Sequence, residues 1–231
     1  MEQGSDAQLL AHFLAEKDQA AFAALVQRHG PMVLGVCRRR LRNSTDADDA
    51  FQATFLVLAL KARSIRKQSS LADWLFGVAV RTSQKLIIAG TRRQKLLERA
   101  MRSARPKLAV DAVENAELSA LLDREIQRLP ANCRKVVVLC WLEGKSKSAA
   151  ALELSWPEGT VATRIARARE ILQKRLSGAG VVGAVAALNS DLIHQLNFAS
   201  VPPHLAASTA QSAALASLHV SSTTTRSPAT R

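Results

Sequence analysis

Three cysteines, at positions 37, 133 and 140, are all that this 231-residue chain carries. None forms a CxxC pair or joins a histidine at zinc-ligand spacing, which argues against a metal site. Cys133 and Cys140 fall on one predicted helix roughly 10 Å apart, beyond disulfide reach, so all three read as buried thiols in a reducing cytoplasm. Long apolar runs are also lacking. GVVGAVAAL, around Val181, is far shorter than the roughly 20 residues of a membrane span, and MEQGSDAQLLAHF has no basic region leading into an apolar core. Neither membrane insertion nor a secretory signal is therefore expected. No strand-like alternation competes with helical periodicity. The chain also lacks a nucleophile paired with a base, a phosphate-cradling glycine loop and a credible pair of acids. No catalytic residue and no cofactor is expected, and His29 reads as a helix-end cation.

What the chain has in excess is positive charge. Thirty-two Lys and Arg face 19 Asp and Glu, a formal charge of +13, while 48% hydrophobic residues supply material for one or two compact units. Such a balance attracts a polyanion, and the association should weaken steeply with salt. Nucleic acid is the first candidate. An anionic membrane surface is the second, but the cations are interleaved with folded-looking helical units and not gathered on one long amphipathic helix.

The segment from Leu129 to Leu172 reads as three helices broken at Gly144 and at Ser155 to Pro157. Pro130 suits a first helical position, Val136, Val137, Leu139, Cys140 and Leu142 make a core-facing stripe, and Gly144 ends it in a left-handed cap. Ser146 caps a short helix of small residues, Ala149 to Leu154. In the third helix Val161, Ile165, Ala168 and Leu172 recur as a buried face. Thr160, Thr163, Arg164 and Arg167 stay available for phosphates and base edges, with Lys145 and Lys147 nearby for phosphates. This pattern is a helix-turn-helix.

A second motif lies upstream, at DADDAFQATFLVL. Thr45 can cap a helix whose Asp46, Asp48 and Asp49 crowd the positive end of its dipole, with Phe51, Phe55 and Leu58 as an apolar stripe. The basic segments KARSIRKQ and SLADWLFGVAVRTSQKLIIAGTRRQK follow at once. An acidic face beside a basic one points to two different partners.

From about Asp6 to Leu176 these motifs, in this order and spacing, resemble the extracytoplasmic-function sigma factors of bacteria. The resemblance implies that Asp46, Asp48, Asp49, Gln52 and Phe55 grip the clamp helices of the largest subunit of core RNA polymerase. It implies that WLFGVAVRTSQK engages the promoter −10 element and that the preceding loop, roughly Arg63 to Ser70, captures an unstacked base. Holding an opened strand calls for charge, which Arg63, Arg66, Lys67, Arg81 and Lys85 are placed to supply, with Gln68 as an uncharged contact to the −10 element. Trp74, between apolar neighbours, reads as core more than as a stacking platform. The helix-turn-helix takes the role of −35 reader, and an anti-sigma factor is an implied partner. The chain departs from the family pattern at Ala53, where an acid is common, at Ser148 and Ala149, which replace two glutamates, and at Ser155 and Trp156 in the turn. The last four bear on −35 preference.

The expected architecture is all-α. Residues 1–101 form a region 2-like helical domain, 102–117 a flexible linker around Pro106, 118–176 a region 4-like helix-turn-helix domain, and 177–231 a C-terminal extension. Within the first domain DQAAFAALVQRH, capped by Asp18, reads as a helix that breaks at Gly30 and Pro31. The extension, rich in Ala, Ser and Thr, is either a regulatory segment packed back on the DNA-binding units or a weakly ordered terminus. It offers two short helices around Pro202 and Pro203, with Leu192, Ile193, Leu196 and Phe198 able to dock. The function expected is promoter-specific initiation in the cytoplasm, on the nucleoid. A stand-alone helix-turn-helix regulator without a polymerase-binding helix is the alternative.

Overall fold

The structure, a computed structural model, describes residues 4–65, 70–100, 111–178 and 200–223. Among these residues every regular element is helical. Helix α1 spans Asp6–Glu16 and starts in a reciprocal cap in which the Ser5 hydroxyl accepts from the Gln8 amide and the Gln8 side chain accepts from the Ser5 amide. Lys17, in the left-handed region at φ 53°, turns the chain into α2, Gln19–Arg40, which Asp18 caps as its sequence suggests.

Helix α2 does not break at Gly30 and Pro31, correcting the expected interruption. Proline removes one intrahelical hydrogen bond, but Gly30, Met32, Val33, Leu34 and Val36 are all buried, and their packing outweighs that loss. Gly30 is also a close-approach site. A Cβ there would stand 3.0 Å from a methyl of Val201 and 3.6 Å from the Phe51 ring.

Helix α3, Ser44–Lys61, is capped by Asn43, whose side chain accepts from the Thr45 amide at 3.0 Å. The cap thus sits two residues before the expected Thr45, leaving the three aspartates within the first turns. Phe51 and Phe55 bury their rings 5.0 Å apart between centroids, and Phe22 of α2 meets Phe55 edge-on at 6.3 Å. A short 3-10 turn, Ala62–Ser64, precedes α4, Leu71–Ala100.

Helix α5, Asp111–Gln127, begins inside the stretch expected as linker, so residues 111–117 are helical; Pro106 lies outside the described residues. Helix α6, Ala131–Val137, continues as a π-helical turn, Val138–Leu142, and is followed by α7, Lys147–Leu154, and α8, Glu158–Gly178. Helix α9, Pro203–Thr223, lies in the extension and packs on α2 and α3, burying Leu205, Ala210 and Ala213, so this part of the extension is ordered against the first helical unit. Leu192, Ile193, Leu196 and Phe198 fall outside the described residues.

The two helical units pack directly against each other. Arg39 of α2 grips the buried carboxylate of Asp123 in α5 with two hydrogen bonds, 3.0 and 3.2 Å, and Arg134 of α6 does the same to Asp73 of α4 at 2.7 and 3.2 Å. Between them His29 of α2 is fully buried in mid-helix, its Nε2 3.0 Å from Asp6 Oδ2 and its Nδ1 2.5 Å from Glu143 Oε1. The expected helix-end cation is therefore an interior one that ties α1, α2 and the end of the π turn together. Burial works against its charge, but Glu143 and Asp6 outweigh it and hold the imidazolium up at about 9.

Candidate nucleic-acid and partner interfaces

The helix-turn-helix forms as its breakers suggest. Gly144 takes φ 67° after the π turn, and the Ser146 hydroxyl accepts from the Ala149 amide at 3.1 Å. Ala149 cannot return a side-chain bond, so the Ser148 hydroxyl fills in, 2.9 Å from that of Ser146. At the end of α7, Ser155 adopts φ 55° and bonds to Leu152 O, while the Trp156 amide reaches Ala151 O at 2.9 Å. This is a Schellman closure with serine in the position glycine favours. Trp156 is half-buried, and Lys135 lies 6.0 Å over its ring.

Helix α8 buries Val161, Ile165, Ala168 and Leu172 and turns Thr163, Arg164 and Arg167 outward, with Thr160 half-buried at its start. Arg164 makes no hydrogen bond or ion pair among the described residues, leaving its fork available for a base edge or phosphate. Arg167 is steadied by Glu170 at 2.9 Å, and Thr163 donates to Gly159 O. Lys147 is exposed. Lys145 is half-buried between Glu143 and Glu153; burial opposes its charge, but the two carboxylates outweigh it and raise its pKa. It is thus already neutralised and poorly placed as a phosphate contact. Arg169, which the sequence reading did not single out as a contact, lines a cleft of about 400 Å³ with Cys140, Trp141, Lys145, Lys147 and Ile165. Its one signal was the RAR spacing after Arg167.

On α4, Arg81 and Lys85 stand one turn apart, both exposed, and Arg63 is exposed on the 3-10 turn. Arg66, Lys67 and Gln68 lie outside the described residues. Trp74 is half-buried against the core, in keeping with a packing role. Arg81 folds back over Gly77, its guanidinium 3.2 Å from where a Cβ would sit, toward Gln127 of α5.

The acidic helix presents a mixed strip. Asp46 and Asp49 are exposed, and Leu56 and Leu60 follow on the same outward side, Leu60 at 47% exposure. Exposed apolar side chains rimmed by polar groups are one mark of an interaction surface. Asp48 and Gln52 sit on the flank of that strip, half-buried. Phe55 is 0% exposed, so it holds α3 on the core and does not reach a partner.

Family comparisons fall on these same elements. The model of sigma-70 region 2 matches residues 25–93, which contain α3 and the outward part of α4, and that of sigma-70 region 4 matches 119–172, which contain the helix-turn-helix. The ECF RNA polymerase sigma-E factor of Haemophilus influenzae is 31% identical over 179 residues, 73% of this chain and 94% of that protein. The ECF RNA polymerase sigma factor SigM of Mycobacterium tuberculosis is 34% identical over 173 residues, 74% and 85% of the two chains. Among solved structures, CnrH in complex with the cytosolic domain of CnrY is 26% identical over 75% of this chain and 99% of that one, with a TM-score of 0.39. With both sigma regions matched in order, and relatives aligned over most of their length, this chain belongs to the ECF RNA polymerase sigma factors.

Proposed function

We propose that this sigma factor docks on core RNA polymerase through the outward strip of α3, and that α4 and α8 read the −10 and −35 elements while polymerase makes the RNA. The observation that carries the reading is the open strip itself. Asp46, Asp49, Leu56 and Leu60 are exposed on one side of a helix whose opposite side is anchored by Phe51 and Phe55. A rigid helix with acidic and apolar groups outward suits a basic, partly apolar partner. The cations of α8 and α4 lie on other helices, where they suit DNA. Arg164, Arg167, Thr163 and Lys147 are the assigned −35 contacts, with Thr160 at the helix start, and Arg81, Lys85 and Arg63 the assigned −10 contacts. Asp48 and Gln52 flank the polymerase strip.

A titration of labelled core polymerase tests the docking assignment. Asp49→Lys should lower affinity at least about tenfold, as reversal of one charge at a complementary interface does, with thermal unfolding unchanged because the residue is exposed. Equal affinity of the Asp49→Lys and wild-type chains would remove α3 as the docking helix. Failure of both chains to bind would instead favour a helix-turn-helix regulator that works without polymerase contact.

A further inference from the structure

The sigma-factor reading gives α9 no task, yet this helix lies along α2 and α3, the latter being the assigned docking helix. Three contacts fix its path. Val201 enters the space left by Gly30, Gln52 Nε2 donates to Ser208 Oγ at 3.2 Å, and Lys17 Nζ donates to Ser217 O at 3.4 Å. Residue 201 near 30 and 217 near 17 set α9 antiparallel to α2. Its buried face carries Leu205, Thr209 and Ala213, each four residues from the next, with Ala210 beside them. Small side chains let the backbones approach closely, and the Thr209 hydroxyl is satisfied by Leu205 O.

This contact is neutral on one side only. Helix α9 contains no Asp, Glu, Lys or Arg, while the edge of α3 it borders is acidic. Gln52, which the sequence places among the polymerase contacts, is already occupied by Ser208. One turn earlier on the same edge, the Oδ1 of Asp48 is buried without a hydrogen-bond partner among the described residues. A carboxylate oxygen without a partner in that setting is costly, and α9 brings no Lys or Arg to it, its titratable side chains being His204 and His219 alone. A partner bringing Lys or Arg to the same edge satisfies Asp48 and frees Gln52 for its own use.

We propose that α9 is an internal competitor for the docking helix: in the free chain it covers the Asp48–Gln52 edge of α3, and core RNA polymerase displaces it on binding. The inference rests on the assignment of α3 to polymerase. It makes the competent population a fraction of the whole, so the apparent affinity is lower than the intrinsic one by that fraction.

The test compares three full-length chains in titrations of core polymerase: wild type, Ala213→Glu, which places a charge in the buried α9 contact at a residue 1% exposed, and Leu215→Glu, at a residue 61% exposed on the outer side. Ala213→Glu should bind about tenfold more tightly than wild type, with Leu215→Glu unchanged. Equal affinity of Ala213→Glu and a wild type that does bind overturns the competitor and leaves α3 as the docking helix. Failure of all three to bind overturns both. Hydrogen exchange on the wild-type chain decides without any variant: amides 205–217 should lose protection when core polymerase is added, while those of Val33 to Cys37 keep theirs. Protection of 205–217 that persists in the complex overturns the proposal.

Discussion

A histidine enclosed by two carboxylates keeps its proton far above the neutral range, and the fold comes to depend on it. His29 rises from 6.5 to about 9, so its contribution is complete below pH 6.5 and is lost as pH climbs through 9. A shift of that size corresponds to about 3 kcal/mol. Urea midpoints measured near about pH 6 and about pH 9.5 should fall with rising pH, and His29→Gln should start lower and lose most of that dependence. Asp6 supplies the acid-side counterpart. Burial raises its pKa, but His29 and Arg28 outweigh that and bring it from 3.8 to about 2, so its contribution is present above 3.8 and lost as pH falls through 2. None of this was legible along the chain, because Glu143 lies 114 positions from His29 and only packing brings them together. Ser155 is the contrasting residue. Its left-handed conformation follows from the local turn sequence, and Ser155→Gly should raise stability by about 1 kcal/mol in chemical denaturation.

At the scale of elements, local punctuation was informative where it acted locally. Gly144, Ser146 and the Ser155–Trp156 turn delimit α6 to α8 as the sequence suggests. Pro31 misled, since burial of Gly30, Met32 and Val33 carries α2 through a residue that would end an exposed helix. For α9 the sequence left a packed segment and a weakly ordered terminus both open, and the structure packs it. Its Ala, Ser and Thr composition offers little apolar area by itself, and it is packed by burial of Leu205, Ala210 and Ala213 against α2 and α3, with Val201 seated beside Gly30. Helix α3 separates anchoring from docking. Phe55→Ala should cost about 3 to 5 kcal/mol of stability, as loss of a fully buried ring does. Melting of the purified variant measures it, and a cost under about 1 kcal/mol would remove Phe55 from the core. On α8, Arg164→Ala should cost about 1 to 3 kcal/mol of promoter affinity and relax preference at one position. A loss equal across promoter sequences would make Arg164 a phosphate contact.

As a whole molecule the chain is folded shut. The pairs Arg39–Asp123 and Arg134–Asp73, with His29 between Asp6 and Glu143, hold the two helical units together, and α4 touches the π turn of the other unit. Promoter elements at −10 and −35 are separated by about 25 base pairs, or about 85 Å at 3.4 Å per base step. A compact domain of this length has a radius of gyration of about 17 Å. A body of that size falls short of that span, so these pairs are expected to part when polymerase binds. Energy transfer between probes on exposed Lys61 and Leu152 should fall when core polymerase is added; unchanged transfer would mean that the closed form is the one that binds.

The most direct test of the account is initiation by core polymerase and this purified chain on a library with both promoter elements randomised. Wild type should select two separate sequence blocks, Arg164→Ala should relax one position in the upstream block alone, and Asp49→Lys should weaken initiation in step with its lower affinity, without loss of folding. A folded wild-type chain that selects no promoter, or an Asp49→Lys chain that initiates as well as wild type, would contradict it.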